Sequence, residues 1–103
     1  MNFPKSRMYY STDGSNDDQM SACRVIVRDD AMVVEYVDEM GNQVTYHALK
    51  IAEGHFEIRQ ELEKDDYLYT ATLHRRAVDV YEGKWNERYG NRRKHGGWAI
   101  ELA

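Results

Sequence analysis

Turn-forming residues recur along this chain at Asp29-Asp30, Gly41-Asn42, Gly54, Asp65-Asp66, near Arg75-Arg76, at Gly90-Asn91 and at Gly96-Gly97. Between them lie short stretches in which apolar and polar residues alternate. A turn every ~8 to 12 residues leaves no room for long helices and matches small sandwiches and barrels, where each strand turns straight into the next. The predicted fold is all-β: a single antiparallel meander of seven or eight strands, forming a small up-and-down barrel or a strongly bent sheet. This describes an architecture and names no reaction, because a fold does not define a chemistry.

The alternation is clearest from residue 21 onward. Cys23, Val25 and Val27 alternate with Arg24, Ile26 and Arg28, and Met32 to Val37 is dense in β-branched residues, which suit a pleated surface. Those two stretches are expected to pair as a hairpin. Gly41-Asn42 supplies the positive φ of a tight turn into Gln43 to Leu49, with Val44, Tyr46 and Ala48 on one face. In Phe56 to Leu62, apolar residues at 56, 58 and 62 oppose polar ones at 57, 59 and 61. The span 49–64 also admits a helix, since Ile51, His55, Ile58 and Leu62 fall at helical spacing. That helix would enclose Gly54 at a cost of roughly 1 kcal/mol and turn Phe56 off its stripe, so the strand is the better reading.

Further on, Tyr67, Tyr69, Ala71 and Leu73 alternate with Leu68, Thr70 and Thr72; Tyr81, Gly83 and Trp85 share one face of the next strand. The last strand runs from Trp98 to Leu102 with Trp98, Ile100 and Leu102 inward. Met8-Tyr9-Tyr10 reads either as an edge strand that closes the sheet or as part of a loose arm. Ser11 to Gln19 is polar and acidic, with nothing to bury, and reads as a mobile loop. The expected organisation is one domain over 1–103, with 1–20 a partly flexible arm and loop and 21–103 the meander.

Gly83-Lys84-Trp85 and Gly97-Trp98, set in a tyrosine-rich meander that ends Trp98-Ala99-Ile100-Glu101-Leu102, resemble the Gly-x-Trp and Gly-Trp strand ends of small up-and-down barrels such as the lipocalin-like and avidin-like families. The resemblance covers the last third of the chain. It implies an antiparallel barrel whose mouth or interior holds a small ligand. Lipocalins carry their Gly-x-Trp near the amino terminus, whereas here it lies near the carboxyl terminus, and no ligand-contacting residue is carried over.

Composition narrows the function classes. With 42% hydrophobic and 31% charged residues among 103, the chain is globular in character and unlike a disordered segment. No stretch reaches the ~18 to 20 apolar residues of a membrane span, and Met1-Asn2-Phe3-Pro4-Lys5 lacks the apolar core of a signal peptide. A lone cysteine, Cys23, fits a reducing compartment, and the expected location is cytoplasmic. The net charge of −4 hides an asymmetry: residues 1–66 hold 14 acids against 7 bases, and residues 67–103 hold 4 against 7. An acidic chain is a poor partner for nucleic acid.

Catalytic constellations are not evident. His47, His55, His74 and His95 are scattered without zinc-site spacing, and Asp65-Asp66 fits a turn better than a carboxylate pair. Cys23 reads as a small buried apolar residue, and no glycine-rich loop leads from a strand into a helix to hold a nucleotide. No cofactor is called for. Two binding readings remain. Lys84 to His95 holds five basic residues with Trp85 and Tyr89 interleaved, so Trp85, Arg88, Tyr89, Arg92 and Arg93 form a basic aromatic hairpin suited to an acidic protein partner or a second copy of the chain, as a homodimer. This leads, as a non-enzymatic interaction module. The alternative is a ligand-binding barrel in which Tyr36, Tyr46, Tyr69 and Tyr81, joined by Tyr67 and Trp85, line a cavity. An enzyme of unknown type and a single-stranded nucleic-acid binder are the remaining alternatives.

Overall fold

A computed structural model of the chain describes residues 1–16 and 18–103. Asp17, inside the polar stretch read above as a mobile loop, lies outside the described residues. The strands are β1 (Asn2–Ser11), β2 (Asp18–Val27), β3 (Ala31–Val37), β4 (Gln43–Ala52), β5 (His55–Leu62), β6 (Tyr67–Ala77), β7 (Val80–Tyr89) and β8 (Arg92–Glu101). Each pairs antiparallel with the next, and β8 returns to β1, so the meander is a closed eight-stranded barrel. A closed sheet leaves no unpaired outer strand, which is how this topology avoids edge-to-edge aggregation.

The stretch that sequence left undecided, Met8 to Tyr10, belongs to β1 and makes the closure. Arg7, Met8, Tyr9 and Tyr10 pair with Glu101, Ile100, Ala99 and Trp98. The span 49–64 is two strands, β4 and β5, followed by a single 3-10 turn at Glu63–Asp65, and the helical alternative does not form. Leu62, expected to share the inward face of Phe56 and Ile58, is 55% exposed because β5 has by then risen past the core. Gln60, two residues earlier on that face, donates from Nε2 to the Thr45 carbonyl of β4 at 3.0 Å.

Period-2 alternation sends one residue in two into the barrel. The inner wall is built from Met8, Cys23, Val25, Met32, Val34, Ala48, Phe56, Ile58, Ala71, Leu73, Tyr81 and Ile100, all buried. The two ends of the barrel differ. At one end, here called the floor, lie the β2–β3, β4–β5 and β6–β7 turns, and Phe3, Val27 and Leu102 pack beneath the core. Ser6, 1% exposed, ties this end together: its hydroxyl donates to the Phe3 carbonyl at 2.9 Å and accepts from the Ala103 N–H at 3.0 Å. At the other end, the mouth, lie the β1–β2, β3–β4, β5–β6 and β7–β8 connections.

The wall is discontinuous toward the mouth. Rungs between β2 and β3 stop at Arg24 opposite Glu35, where the guanidinium clasps the carboxylate at 2.7 Å. Rungs between β4 and β5 stop at Ala48 opposite Ile58. The outer half of the β3–β4 hairpin is therefore laddered only to itself, from Tyr36 opposite Val44 to Val37 opposite Gln43. Its turn is held by Asp38, whose carboxylate accepts from the N–H groups of Met40 and Asn42 at 3.0 and 2.9 Å. Such an Asx turn lets the hairpin keep its shape without neighbours.

Candidate functional site

The interior is full at the floor and open at the mouth. A cavity of about 210 Å³ lies there, lined by Met8, Tyr10, Thr12, Tyr36, Tyr46, Tyr69, Trp85, Glu87, Lys94 and Trp98. Eight strands give an interior that side chains can just fill, so a void of this size above a packed core is a built feature of the upper half. Its volume lies between the roughly 150 Å³ that accepts a benzene and the roughly 300 Å³ at which drug-sized pockets begin, which suits a one- or two-ring molecule.

Two glycine–tryptophan pairs make the aromatic wall possible. On the β7–β8 ladder Trp98 stands opposite Gly83 and Trp85 stands opposite Gly96. Each indole crosses its glycine and donates from Nε1 to a carbonyl on the strand beyond: Trp98 to Thr72 of β6 at 3.0 Å, and Trp85 to Ser11 of β1 at 3.1 Å. Those carbonyls turn inward, since a Cβ on Gly83 would overlap the Thr72 carbonyl and a Cβ on Gly96 would overlap that of Ser11. The glycines thus create the space in which both partly buried indole N–H groups find acceptors, as an aromatic residue with a polar atom requires. Of the Gly96-Gly97 pair it is Gly96 that does this; a Cβ on Gly97 would meet nothing closer than 3.6 Å.

The rings are mutually ordered. Tyr46 stacks on Tyr69 with centroids 4.9 Å apart and planes 9° from parallel; Tyr69 continues toward Trp85 at 6.4 Å and 13°. Trp98 meets Tyr46 edge-on at 5.9 Å, and the Tyr36 and Tyr46 hydroxyls approach to 3.4 Å. Burial pushes the hydroxyls of Tyr36, Tyr46 and Tyr69 well above their ordinary value of 10.0, and Tyr67 follows through burial and the adjoining Glu87 carboxylate. They remain neutral donors at physiological pH. At the rim Tyr67 donates to Glu87 at 2.9 Å, and Lys94 stands opposite Glu87 on the ladder with its side chain exposed.

No family model, curated protein or solved structure matches this chain. The functional reading rests on the site itself.

The residues expected from sequence fall into three places. Tyr36, Tyr46, Tyr69 and Trp85 meet in the cavity. Tyr81 sits in the packed core, edge-on to Phe56 at 5.9 Å, and is not a lining residue. Tyr67 lies at the rim beside Tyr89, rings 6.1 Å apart. Within the basic hairpin, Trp85 points inward while Arg88, Tyr89, Arg92 and Arg93 lie outside: Arg88 is 3.5 Å from Asp66, Tyr89 is 56% exposed, and Arg88 faces Arg93 across the ladder. Glu87 and Lys94 were missed as lining residues although strand alternation carries the signal, since Glu87 is two residues from Trp85 and Lys94 two from Gly96. Tyr10, Thr12 and Met8 were missed with β1.

The other chemistry-bearing groups do not converge. Among the described residues no group of three or more His, Cys, Asp or Glu side chains is placed to hold a metal ion. His55 lies against His74 with ring centroids 4.2 Å apart and planes tilted by 35°, with Glu57 3.8 Å away, and His95 pairs with Asp13 at 2.6 Å beside the β1–β2 turn. Burial pushes the Cys23 thiol up to about 11, which leaves it protonated at neutral pH and a weak nucleophile. No helix among the described residues is long and apolar enough to cross a membrane.

Proposed function

We propose that this protein binds a small, flat organic molecule in the mouth of its barrel. The observation that carries the reading is the cavity itself: an opening of about 210 Å³ lined by six aromatic rings, above an interior that is otherwise filled. Stacked rings offer a planar molecule flat apolar contact, and the neutral tyrosine hydroxyls offer it hydrogen bonds, which is how small-molecule sites combine affinity with orientation. The free, buried Cys23 supports a reducing compartment such as the cytoplasm as the place of action.

Both tryptophans of the chain line the cavity, so intrinsic fluorescence reports its occupancy directly. A library of one- and two-ring compounds, screened by thermal shift and titrated by tryptophan emission, is expected to yield ligands that raise Tm and alter emission. Replacing Tyr69 by leucine is expected to weaken those ligands by tenfold or more, while Leu68, on the opposite face of β6, tolerates alanine. A library that shifts neither signal removes the proposal.

A second reading keeps the outer face of the β7–β8 hairpin as a protein-docking edge. Arg88 opposite Arg93 is a like-charge pair, and among the described residues neither Arg92 nor Arg93 has an ion-pair partner, so an acidic surface would relieve the repulsion. Pull-down with Arg88, Arg92 and Arg93 changed to alanine tests it; unchanged capture of a partner rules it out.

A further inference from the structure

Six of the lining residues present rings: Tyr10, Tyr36, Tyr46, Tyr69, Trp85 and Trp98. Phenol and indole are the electron-rich aromatic side chains, and the face of each carries the negative lobe of its quadrupole. Burial of Tyr36, Tyr46 and Tyr69 opposes ionisation, so the attraction they exert comes from neutral ring faces and not from phenolate charge. Among the described residues that line the cavity, one carries a carboxylate, Glu87. It is half-buried, and the Tyr67 hydroxyl fixes it at 2.9 Å.

A carboxylate beside electron-rich rings adds its own negative potential to that of the ring faces, and a positive group at the mouth would meet both. Beyond the Tyr67 hydroxyl, Glu87 has no ion-pair partner among the described residues. Lys94, its neighbour across the ladder, is exposed, and among the described residues it forms no ion pair with Glu87. Arg88 is drawn toward Asp66, and among the described residues no arginine lines the cavity. An anionic ligand would meet Glu87 with only the exposed Lys94 ammonium to offset it. A cationic ligand gains both from the ring faces and from the carboxylate.

We infer that the cavity selects organic cations, namely a flat ring or compact head group bearing a quaternary or otherwise permanent positive charge, held over Tyr46, Tyr69 and Trp85 with Glu87 as its counter-ion. The inference rests on the ligand-binding reading above and names the class of ligand. Ring faces attract a cation independently of direction-specific hydrogen bonds, and six rings line the same cavity as Glu87.

The test uses three probes of matched size: phenyltrimethylammonium, its neutral isostere tert-butylbenzene, and benzoate, each titrated into the full-length protein by tryptophan fluorescence and calorimetry. The cation is expected to bind about tenfold or more tightly than the neutral isostere, and benzoate not at all. Glu87→Gln keeps the acceptor for Tyr67 and is expected to lower the affinity for the cation about tenfold while leaving that for the isostere unchanged. Lys94→Gln, which removes a like charge at the rim, is expected to tighten the cation. Equal or weaker binding of the cation, or a cation preference untouched by Glu87→Gln, overturns the inference and leaves the cavity reading standing. If none of the three probes binds, the inference falls, and the broader compound library decides whether the cavity reading falls with it.

Discussion

The behaviour of single residues here follows from what shares their space. Gly96 and Gly97 are adjacent and identical in sequence, yet the Ser11 carbonyl fills the side-chain position of the first while the second faces ordinary van der Waals clearance. Gly96→Ala must push β1 away from β8 or break the Trp85 hydrogen bond, and is expected to cost at least the ~1–3 kcal/mol of an overpacked site. Gly97→Ala is expected to cost under about 1 kcal/mol, as is usual where no such feature is touched. Urea denaturation of the two variants checks the contrast; similar midpoints would contradict the inward turn of the Ser11 carbonyl. The tyrosines give a second expectation. Tyr36, Tyr46, Tyr67 and Tyr69 hold their protons more strongly in the fold than in the unfolded chain, where phenols titrate near 10. Above that pH the unfolded chain loses protons that the fold retains, so stability is complete below pH 10 and falls as pH rises further. Phenolate absorbance at 295 nm and circular dichroism are expected to change together in one cooperative alkaline transition. Ionisation of these four near pH 10 with the fold intact would refute the assignment.

Among the elements, the β3–β4 hairpin stands apart. Its inner half is laddered to β2 and β5, while its outer half, bearing Tyr36, is laddered only to itself and capped by Asp38, and the β4 stretch that bears Tyr46 is not laddered to β5. One wall of the cavity is therefore carried by the part of the sheet with the fewest lateral bonds. Local opening draws on such segments first. Amide hydrogen exchange is expected to be about tenfold or more faster for residues 43–47 than for Val25 to Val27 and Met32 to Val34, and a bound ligand is expected to slow it. Uniform protection along β4 would show the hairpin to be as firmly held as the rest. Asp38→Ala, by loosening the turn, is expected to speed exchange at the tip without changing that of Val25.

For the whole molecule, the architecture was legible because strand alternation and turn chemistry are local signals. Cys23, Val25, Val44, Tyr46, Ala48, Tyr81 and Trp85 could be assigned to one face by counting in twos, and the turns at Gly41-Asn42 and Gly90-Asn91 marked the strand ends. What could not be read depends on where separate strands meet. Tyr36 and Tyr81 look alike in sequence, but one lies at the parted mouth and the other in the filled floor, and that difference is set by each strand's height in the barrel. Glu87 and Lys94 sit in a run of charge that resembles a solvated loop, which masked the alternation that places them on the face of Trp85 and Gly96. The parting of β2 from β3 and of β4 from β5 is a property of register between neighbours and left no mark in either strand alone.

The closure of β1 on β8 also sets an order in time. Seven of the eight interfaces join strands consecutive in the chain, whereas Arg7 to Tyr10 and Trp98 to Glu101 must find each other from opposite ends of it. Nearby pairings form quickly, and those that close a long loop come late, because the chain entropy must be given up before any contact is gained. Tyr10 and Trp98 are partners in that last pairing, and both are walls of the cavity. In stopped-flow refolding, β-sheet signal is accordingly expected to precede ligand binding: the meander zips first, and the cavity comes into being only when the ring shuts.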